Sequence, residues 1–89
     1  MKFPLGQLCA TPGVLAAFEE TGESPFTFIQ RHAASDWGDV DFEDWKANDR
    51  ALVDGSRIIG GYKLRSGTRI WILTEPDRSA TTVLLPEDY

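Results

Sequence analysis

The hydrophobic pattern of this chain changes its period at Gly55, and the change limits the folds that the chain can adopt. Before Gly55 the apolar residues recur at the spacing of amphipathic helices, and after it they alternate with polar residues as in half-buried strands. With 89 residues the chain has room for one hydrophobic core. We therefore predict a single α+β domain over residues 1–89, with about three N-terminal helices followed by strands.

Start and stop signals predict the three helices. Thr11, Ser24 and Asp41 each stand where a side-chain oxygen can cap a first turn, and the first two are followed by proline. Gly22 and Gly55 are suited to end the first and third helices. The apolar residues expected to face the core are Val14, Leu15 and Phe18, then Phe26, Ile29 and Ala33, and finally Phe42, Trp45, Leu52 and Val53.

The pattern of residues 57–85 predicts a three-stranded antiparallel β-meander. Residues 5–10 are predicted to form a short strand or an extended lead-in. A tight turn at Ser66-Gly67 would set Tyr62 opposite Trp71. The second face of this hairpin is then either a rim of the core or a contact patch, and the sequence leaves both open. Its apolar residues are Ile59, Ile70 and Ile72.

Residues 36–54 hold seven carboxylates and two basic side chains, so this segment alone accounts for the net charge of −5. The sign reverses over residues 57–78, so the molecule is dipolar. An acidic, aromatic-bearing surface can dock on a basic surface that holds phosphates, whereas direct binding to nucleic acid is disfavoured. A solvated helix face with aspartate caps is the competing interpretation. The residues predicted to contact a partner are Asp36, Trp37, Asp39, Asp41, Glu43 and Asp44.

Two residues of this segment, Trp37 and Asp49, could face the core instead of a partner. Trp37 either anchors a partner or fills the core. Asp49 falls on the apolar stripe of the third helix, where an unpaired carboxylate is costly, and we predict Arg57 or Arg78 as its partner.

Catalysis is not predicted from the available side chains. His32 is the only histidine, and it is expected to be partly exposed at the end of the second helix. Cys9 is the only cysteine, and its apolar neighbours favour a buried, inert thiol. Nothing in the sequence brings this Cys–His pair together.

Metal and cofactor sites are not predicted either. The acidic residues of DWGDVD do not alternate as in an EF-hand and lack its closing glutamate. Zinc would need thiolates and histidines that the chain does not have. No stretch is apolar over the roughly 20 residues of a membrane span, and the first residues do not resemble a signal peptide. We predict a cytoplasmic protein, either a monomer or a weak homodimer.

Four segments carry a resemblance to a family: LGQ-x-x-ATPG, RH-x-x-x-DWGD, N-D-x-A-L-x-x-G-x-R and W-I-x-TE-x-DRS-x-TT-x-LLP-E-x-Y. Over nearly its whole length the chain resembles a family of small bacterial proteins that are typically encoded on plasmids and other mobile elements. It departs from the family pattern at Ser35 and at Gly60-Gly61. The matching residues are Arg31, His32, Asp36, Trp37, Gly38, Asp39, Asn48, Asp49, Arg57, Trp71, Thr74, Glu75, Asp77, Arg78, Thr81 and Thr82.

The resemblance implies a mobile-element accessory protein, similar in size and charge to anti-CRISPR or anti-restriction inhibitors. Our leading hypothesis is a non-enzymatic inhibitor that docks its acidic face on the basic surface of a host defence nucleoprotein complex. One alternative is a plasmid accessory or regulatory module that binds a protein partner through its sheet. The other is a small enzyme that uses the DWGD segment and the TE-x-DR segment, residues 74–78, as two halves of a site.

Overall fold

The computed structural model describes residues 2–89. One α+β domain contains three helices and a four-stranded sheet. In chain order the elements are β1 (Gln7–Ala10), α1 (Pro12–Thr21), α2 (Pro25–Ala33), α3 (Phe42–Asp54), β2 (Ile58–Lys63), β3 (Arg69–Thr74), β4 (Ala80–Leu84) and a 3-10 turn, Pro86–Asp88.

The predicted ends of the helices are confirmed. The side-chain oxygens of Thr11, Ser24 and Asp41 each accept a backbone N–H from the first turn of α1, α2 and α3. Gly22 and Gly55 end α1 and α3 with left-handed φ angles of 72° and 79°.

The predicted three-stranded antiparallel meander was wrong, because β1 joins the sheet as a fourth strand. The strand order is β1-β4-β3-β2, with β1 parallel to β4 and the other pairs antiparallel. A parallel pair needs a long crossover, and the helices between β1 and β4 are part of it. All four residues of β1 are exposed, so no alternation of buried and exposed positions marks it as a strand.

The predicted register of the hairpin was also wrong, by one residue. Tyr62 faces Ile70, and Trp71 faces Gly61. The N–H of Leu64 donates to the carbonyl of Thr68, so the loop between these residues is longer than the expected two-residue turn. A slip of one residue exchanges the two faces of a strand, so Trp71 moves to the face opposite Tyr62.

The exchange decides which side chains are in the core. Ile70 and Ile72 are fully buried and pack with residues of α1 and α2, so they are core residues and not part of a surface patch. Ile59, Trp71 and Leu73 lie on the other, open face and are half-buried.

A second, smaller core cluster joins α3 to the rest of the domain. It contains Phe3, Trp37, Ala51 and Ile58, with Trp45 packed against it. Within residues 2–89 no helix has the length and apolar character needed to cross a membrane.

Candidate functional site

Trp37 is a core residue. Its side chain is fully buried in the smaller cluster, in contact with the rings of Phe3 and His32. Its indole N–H donates a hydrogen bond to Oδ1 of Asp49 over 3.0 Å. Trp37 is therefore not accessible to a binding partner. Asp49 accepts from its indole, whereas the predicted partner of Asp49 was Arg57 or Arg78.

The backbone around Trp37 closes the outer edge of β2. The N–H of Gly61 donates to the carbonyl of Trp37 at 3.0 Å, and the N–H of Asp39 donates to the carbonyl of Gly61 at 2.8 Å. Gly38 lies between them with a φ of 80°, close enough to Gly61 that a side chain would collide with its carbonyl. The DWGD segment thus caps a sheet edge.

Asn48 extends the same closure along β2. Its side-chain amide donates to the carbonyl of Ile59 at 2.8 Å, and its Oδ1 accepts the N–H of Ile59 at 3.1 Å. Asn48 is almost fully buried, and it replaces the hydrogen bonds of a neighbouring strand. The acidic helix α3 is held to the sheet by this pair.

Two carboxylates of the acidic segment form ion pairs. Asp36 accepts from Nε of Arg31 at 2.8 Å, and this hydrogen bond holds the pKa of Asp36 below its ordinary value. Asp39 accepts from Nη2 of Arg69 at 2.9 Å. Side chains in both pairs remain exposed to solvent, so each pair contributes at most about 1 kcal/mol to stability.

The first turn of α3 is the exposed part of the acidic segment. Asp41 uses one carboxylate oxygen to cap the helix at the N–H of Asp44. Glu43 and Asp44 lie in the first turn, where a negative charge suits the helix dipole, and both side chains are exposed. Among residues 2–89 neither has a basic hydrogen-bond partner.

A groove of about 530 Å³ separates this turn from the open face of the sheet. One wall is acidic and comes from α3 and the loop before it, and the opposite wall carries two arginines. Ile59 and Trp71 form an apolar part of the lining. The lining residues are Asp39, Val40, Asp41, Asp44, Ala47, Asn48, Arg57, Ile59, Arg69 and Trp71.

The structure brings only some of the predicted contact residues to this groove. Asp39, Asp41 and Asp44 line it, whereas Asp36 is paired with Arg31 and Trp37 is buried. Three further residues that line the groove were not predicted, because their common location depends on the register of β2 and β3; they are Arg57, Arg69 and Trp71. Residues 70–73 of RIWILT are all apolar, so hydrophobic alternation gave no signal that could place Trp71 on the open face.

Of the groups considered for catalysis, His32 and Arg78 form hydrogen bonds inside the fold. His32, expected to be partly exposed, is fully buried, and its Nε2 lies 2.9 Å from Oγ1 of Thr74. Cys9, expected to be buried, is exposed on β1. Arg78 donates to the backbone carbonyls of Ala51 and Ser56, so the TE-x-DR segment ties α3 to the sheet.

Many residues that carry the family resemblance hold the fold together. Trp37, Asp39 and Asn48 form hydrogen bonds with the edge of β2, and Arg78 donates to backbone carbonyls. Thr74 and Thr81 join their hydroxyls at 2.8 Å inside the core. These residues therefore have structural roles in the fold.

Comparison with protein-family models, with curated proteins and with solved structures gives no match to the chain. Within residues 2–89 no three side chains of the histidine, cysteine, aspartate and glutamate types are grouped so that they could hold a metal ion.

Proposed function

We propose that this protein is a non-enzymatic interaction protein that binds a protein partner through the groove between α3 and the open face of the sheet. The observation that carries the proposal is the exposed acidic first turn of α3 beside a groove that Trp71 lines. The partner is a protein surface rich in lysine and arginine, such as a surface that also binds nucleic acid.

The charges around the groove support a basic partner. Arg69 is already paired with Asp39, so the groove has fewer free positive charges than its composition suggests. The N-terminal end of α3 carries a negative cluster of three exposed side chains, Asp41, Glu43 and Asp44. Such a cluster accelerates association with a basic surface, and salt screens the effect because the screening length falls from about 8 Å at physiological ionic strength to about 3 Å at 1 M.

The side chains in and beside the groove support tight binding of a partner as well as fast association. Trp71 is half-buried on the open face, and its ring packs edge-on against that of Tyr89. Arg57 lies over the ring of Tyr89. Tryptophan, tyrosine and arginine are the residue types that most often carry binding energy at protein interfaces.

The family resemblance supplies the proposed setting. A mobile-element protein with this surface would act on the basic surface of a host defence nucleoprotein complex, as an anti-CRISPR or anti-restriction inhibitor does. The alternative of an accessory module that binds through its sheet uses the same groove, because the sheet contributes Ile59 and Trp71 to it. Identification of the partner distinguishes an inhibitor of a host defence complex from an accessory module.

Two matched variants test the acidic cluster. The first combines Asp41→Asn, which keeps the helix cap, with Glu43→Lys and Asp44→Lys. The control combines Glu19→Lys, Glu20→Lys and Glu87→Gln at exposed positions outside the groove. Each variant brings the formal net charge from −5 to zero, so only the location of the change differs.

The measurement is capture from a lysate of the bacterial host, followed by association kinetics with the captured partner at low and high salt. We expect the α3 variant to associate at least tenfold more slowly, and the control to remain near the wild type. Trp71→Ala should leave association unchanged and speed dissociation. If both charge variants lose the partner equally, net charge explains the binding and the groove does not.

A further inference from the structure

The outer edge of β1 is open. β1 is the last strand of the sheet, and all four of its residues are exposed. Gln7 and Thr11 donate their N–H groups to carbonyls of residues 79 and 83, on the β4 side. Because backbone groups alternate along a strand, those of Leu8 and Ala10 point away from the sheet. The two edges of the sheet therefore differ, since the edge of β2 is closed by the backbone of Trp37 and Asp39 and by the side chain of Asn48.

An apolar groove of about 200 Å³ lies beside this open edge. Three of its side chains are strongly exposed for their size, namely Leu8 at 44%, Leu15 at 49% and Phe26 at 61%. None of its lining residues is charged: Leu8, Cys9, Ala10, Leu15, Pro25, Phe26, Ile29 and Val83. An open strand edge next to exposed apolar side chains is a docking surface for another strand.

We propose that this surface binds a second copy of the chain, with β1 paired to β1 of that copy in antiparallel orientation across a two-fold axis. Leu8 lies opposite Ala10 of the second copy, and the two exchange backbone hydrogen bonds. Cys9 then lies opposite Cys9 of the second copy, next to the two-fold axis. The two four-stranded sheets become one continuous sheet.

The distribution of charge favours a second copy over a charged partner. The groove beside β1 offers no charge to pair with a basic or acidic protein, whereas the same apolar surface on a second copy complements it. The acidic helix α3 packs against β2, at the far edge of the sheet. Three strand spacings of about 4.8 Å make roughly 14 Å, which exceeds the screening length of about 8 Å. The carboxylates of α3 therefore add little repulsion between two chains that meet at β1, and the carboxylate of Asp88, near the end of β1, accepts a hydrogen bond from Thr11.

The size of the surface indicates a weak dimer. A standard interface buries about 800 Å² on each partner, whereas this edge offers a strand of four residues and three exposed apolar side chains, on a chain whose total exposed surface is 5048 Å². We expect a dissociation constant in the micromolar range. Because the contacts are uncharged, 1 M salt should not weaken the dimer. This inference does not rest on the basic partner proposed above.

Sedimentation equilibrium over a range of concentrations tests the dimer. The average mass of the wild type should rise from 9.9 kDa toward twice that value. Leu8→Lys puts a charge on the open edge and should remain at the monomer mass. The control is Val53→Lys, which makes the same change at a residue that is 90% exposed on α3, and it should dimerise like the wild type.

Crosslinking tests the register. Cys9 is the only cysteine, so mild oxidation or a short bis-thiol linker should join two chains through it. The double variant Gln7→Cys, Cys9→Ala places its thiol on the same face but about 13 Å from that of the second copy, so it should crosslink poorly. A wild type that stays monomeric at all concentrations, a Leu8→Lys variant that dimerises, or equal crosslinking by both thiols would overturn the proposal.

Discussion

The indole N–H of Trp37 donates to Oδ1 of Asp49 over 3.0 Å and so joins the DWGD segment to the middle of α3. Trp37 is fully buried, whereas Asp49 remains exposed to solvent. This contact gives one of the seven carboxylates in residues 36–54 a structural role. Asp49 therefore accepts a hydrogen bond from a buried indole, whereas the carboxylates in the first turn of α3 remain exposed.

We expect removal of this acceptor to lower stability. Asp49→Ala leaves the indole N–H unpaired and should lower the free energy of unfolding by about 1–2 kcal/mol, whereas Asp49→Asn keeps an acceptor and should cost less. Trp37→Ala empties a buried site and should cost about 3–5 kcal/mol. Urea denaturation measures all three. Equal stability of Asp49→Ala and the wild type would mean that water replaces the carboxylate at no cost.

Gly38 should tolerate substitution far less than Gly22, although both have left-handed φ angles of 80° and 72°. A Cβ at Gly38 would lie 1.8 Å from the carbonyl oxygen of Gly61, whereas at Gly22 nothing lies within 4 Å. We expect Gly22→Ala to cost about 1 kcal/mol and Gly38→Ala roughly 3 kcal/mol or more, because the second change also breaks the pairing with β2. Similar melting temperatures for the two variants would contradict this difference.

The parts of the fold that the sequence predicted are those that local chemistry decides. The caps at Thr11, Ser24 and Asp41 depend on atoms a few residues away, and all three are present. The faces of the helices were predicted less well. Phe26 and Phe42 are exposed, whereas His32 is fully buried because Thr74 supplies a polar partner that hydrophobicity alone does not reveal.

The missed features depend on residues far apart in the chain. β1 pairs residues 7–10 with residues 80–83, and nothing near β1 indicates that partner. The candidate groove depends on the register of the hairpin, which one extra loop residue shifts. The acidic wall was predicted from composition, but Arg69 and Trp71 could be assigned to the opposite side only after the register was known.

Asn48 should protect the edge of β2. Asn48→Ala removes both hydrogen bonds to Ile59 and should lower the free energy of unfolding by about 2 kcal/mol. Asn48→Asp keeps an acceptor for the N–H of Ile59 but has no donor for its carbonyl, so it should also destabilise at neutral pH. Hydrogen exchange by NMR should show a faster amide at Ile59, with Thr74 in the central strand as the internal reference. An unchanged Ile59 amide in both variants would mean that Asn48 does not guard this edge.

A buried chain of hydrogen bonds fixes the tautomer of His32. The hydroxyl of Thr81 donates to the carbonyl of Leu5 at 2.7 Å, so it accepts from the hydroxyl of Thr74. Thr74 in turn accepts from Nε2–H of His32, and Nδ1 faces no hydrogen-bond partner among the described residues. Burial lowers the pKa of His32 from 6.5 to about 4.

This lowered pKa should make the protein sensitive to mild acid. Between pH 6.5 and 4 the unfolded chain binds a proton at His32 that the folded chain does not bind. The free energy of unfolding is therefore unaffected by this group above pH 6.5, and it decreases as the pH falls toward 4. The total loss is about 3 kcal/mol, with a slope of at most about 1.4 kcal/mol per pH unit. His32→Gln retains a side-chain N–H that can donate to Thr74 and does not titrate. Urea denaturation of both proteins between pH 7 and 4.5 should give a steep slope for the wild type and a shallower one for the variant, whatever their absolute stabilities. Equal slopes would mean that the folded protein accepts a proton at His32 as readily as the unfolded chain.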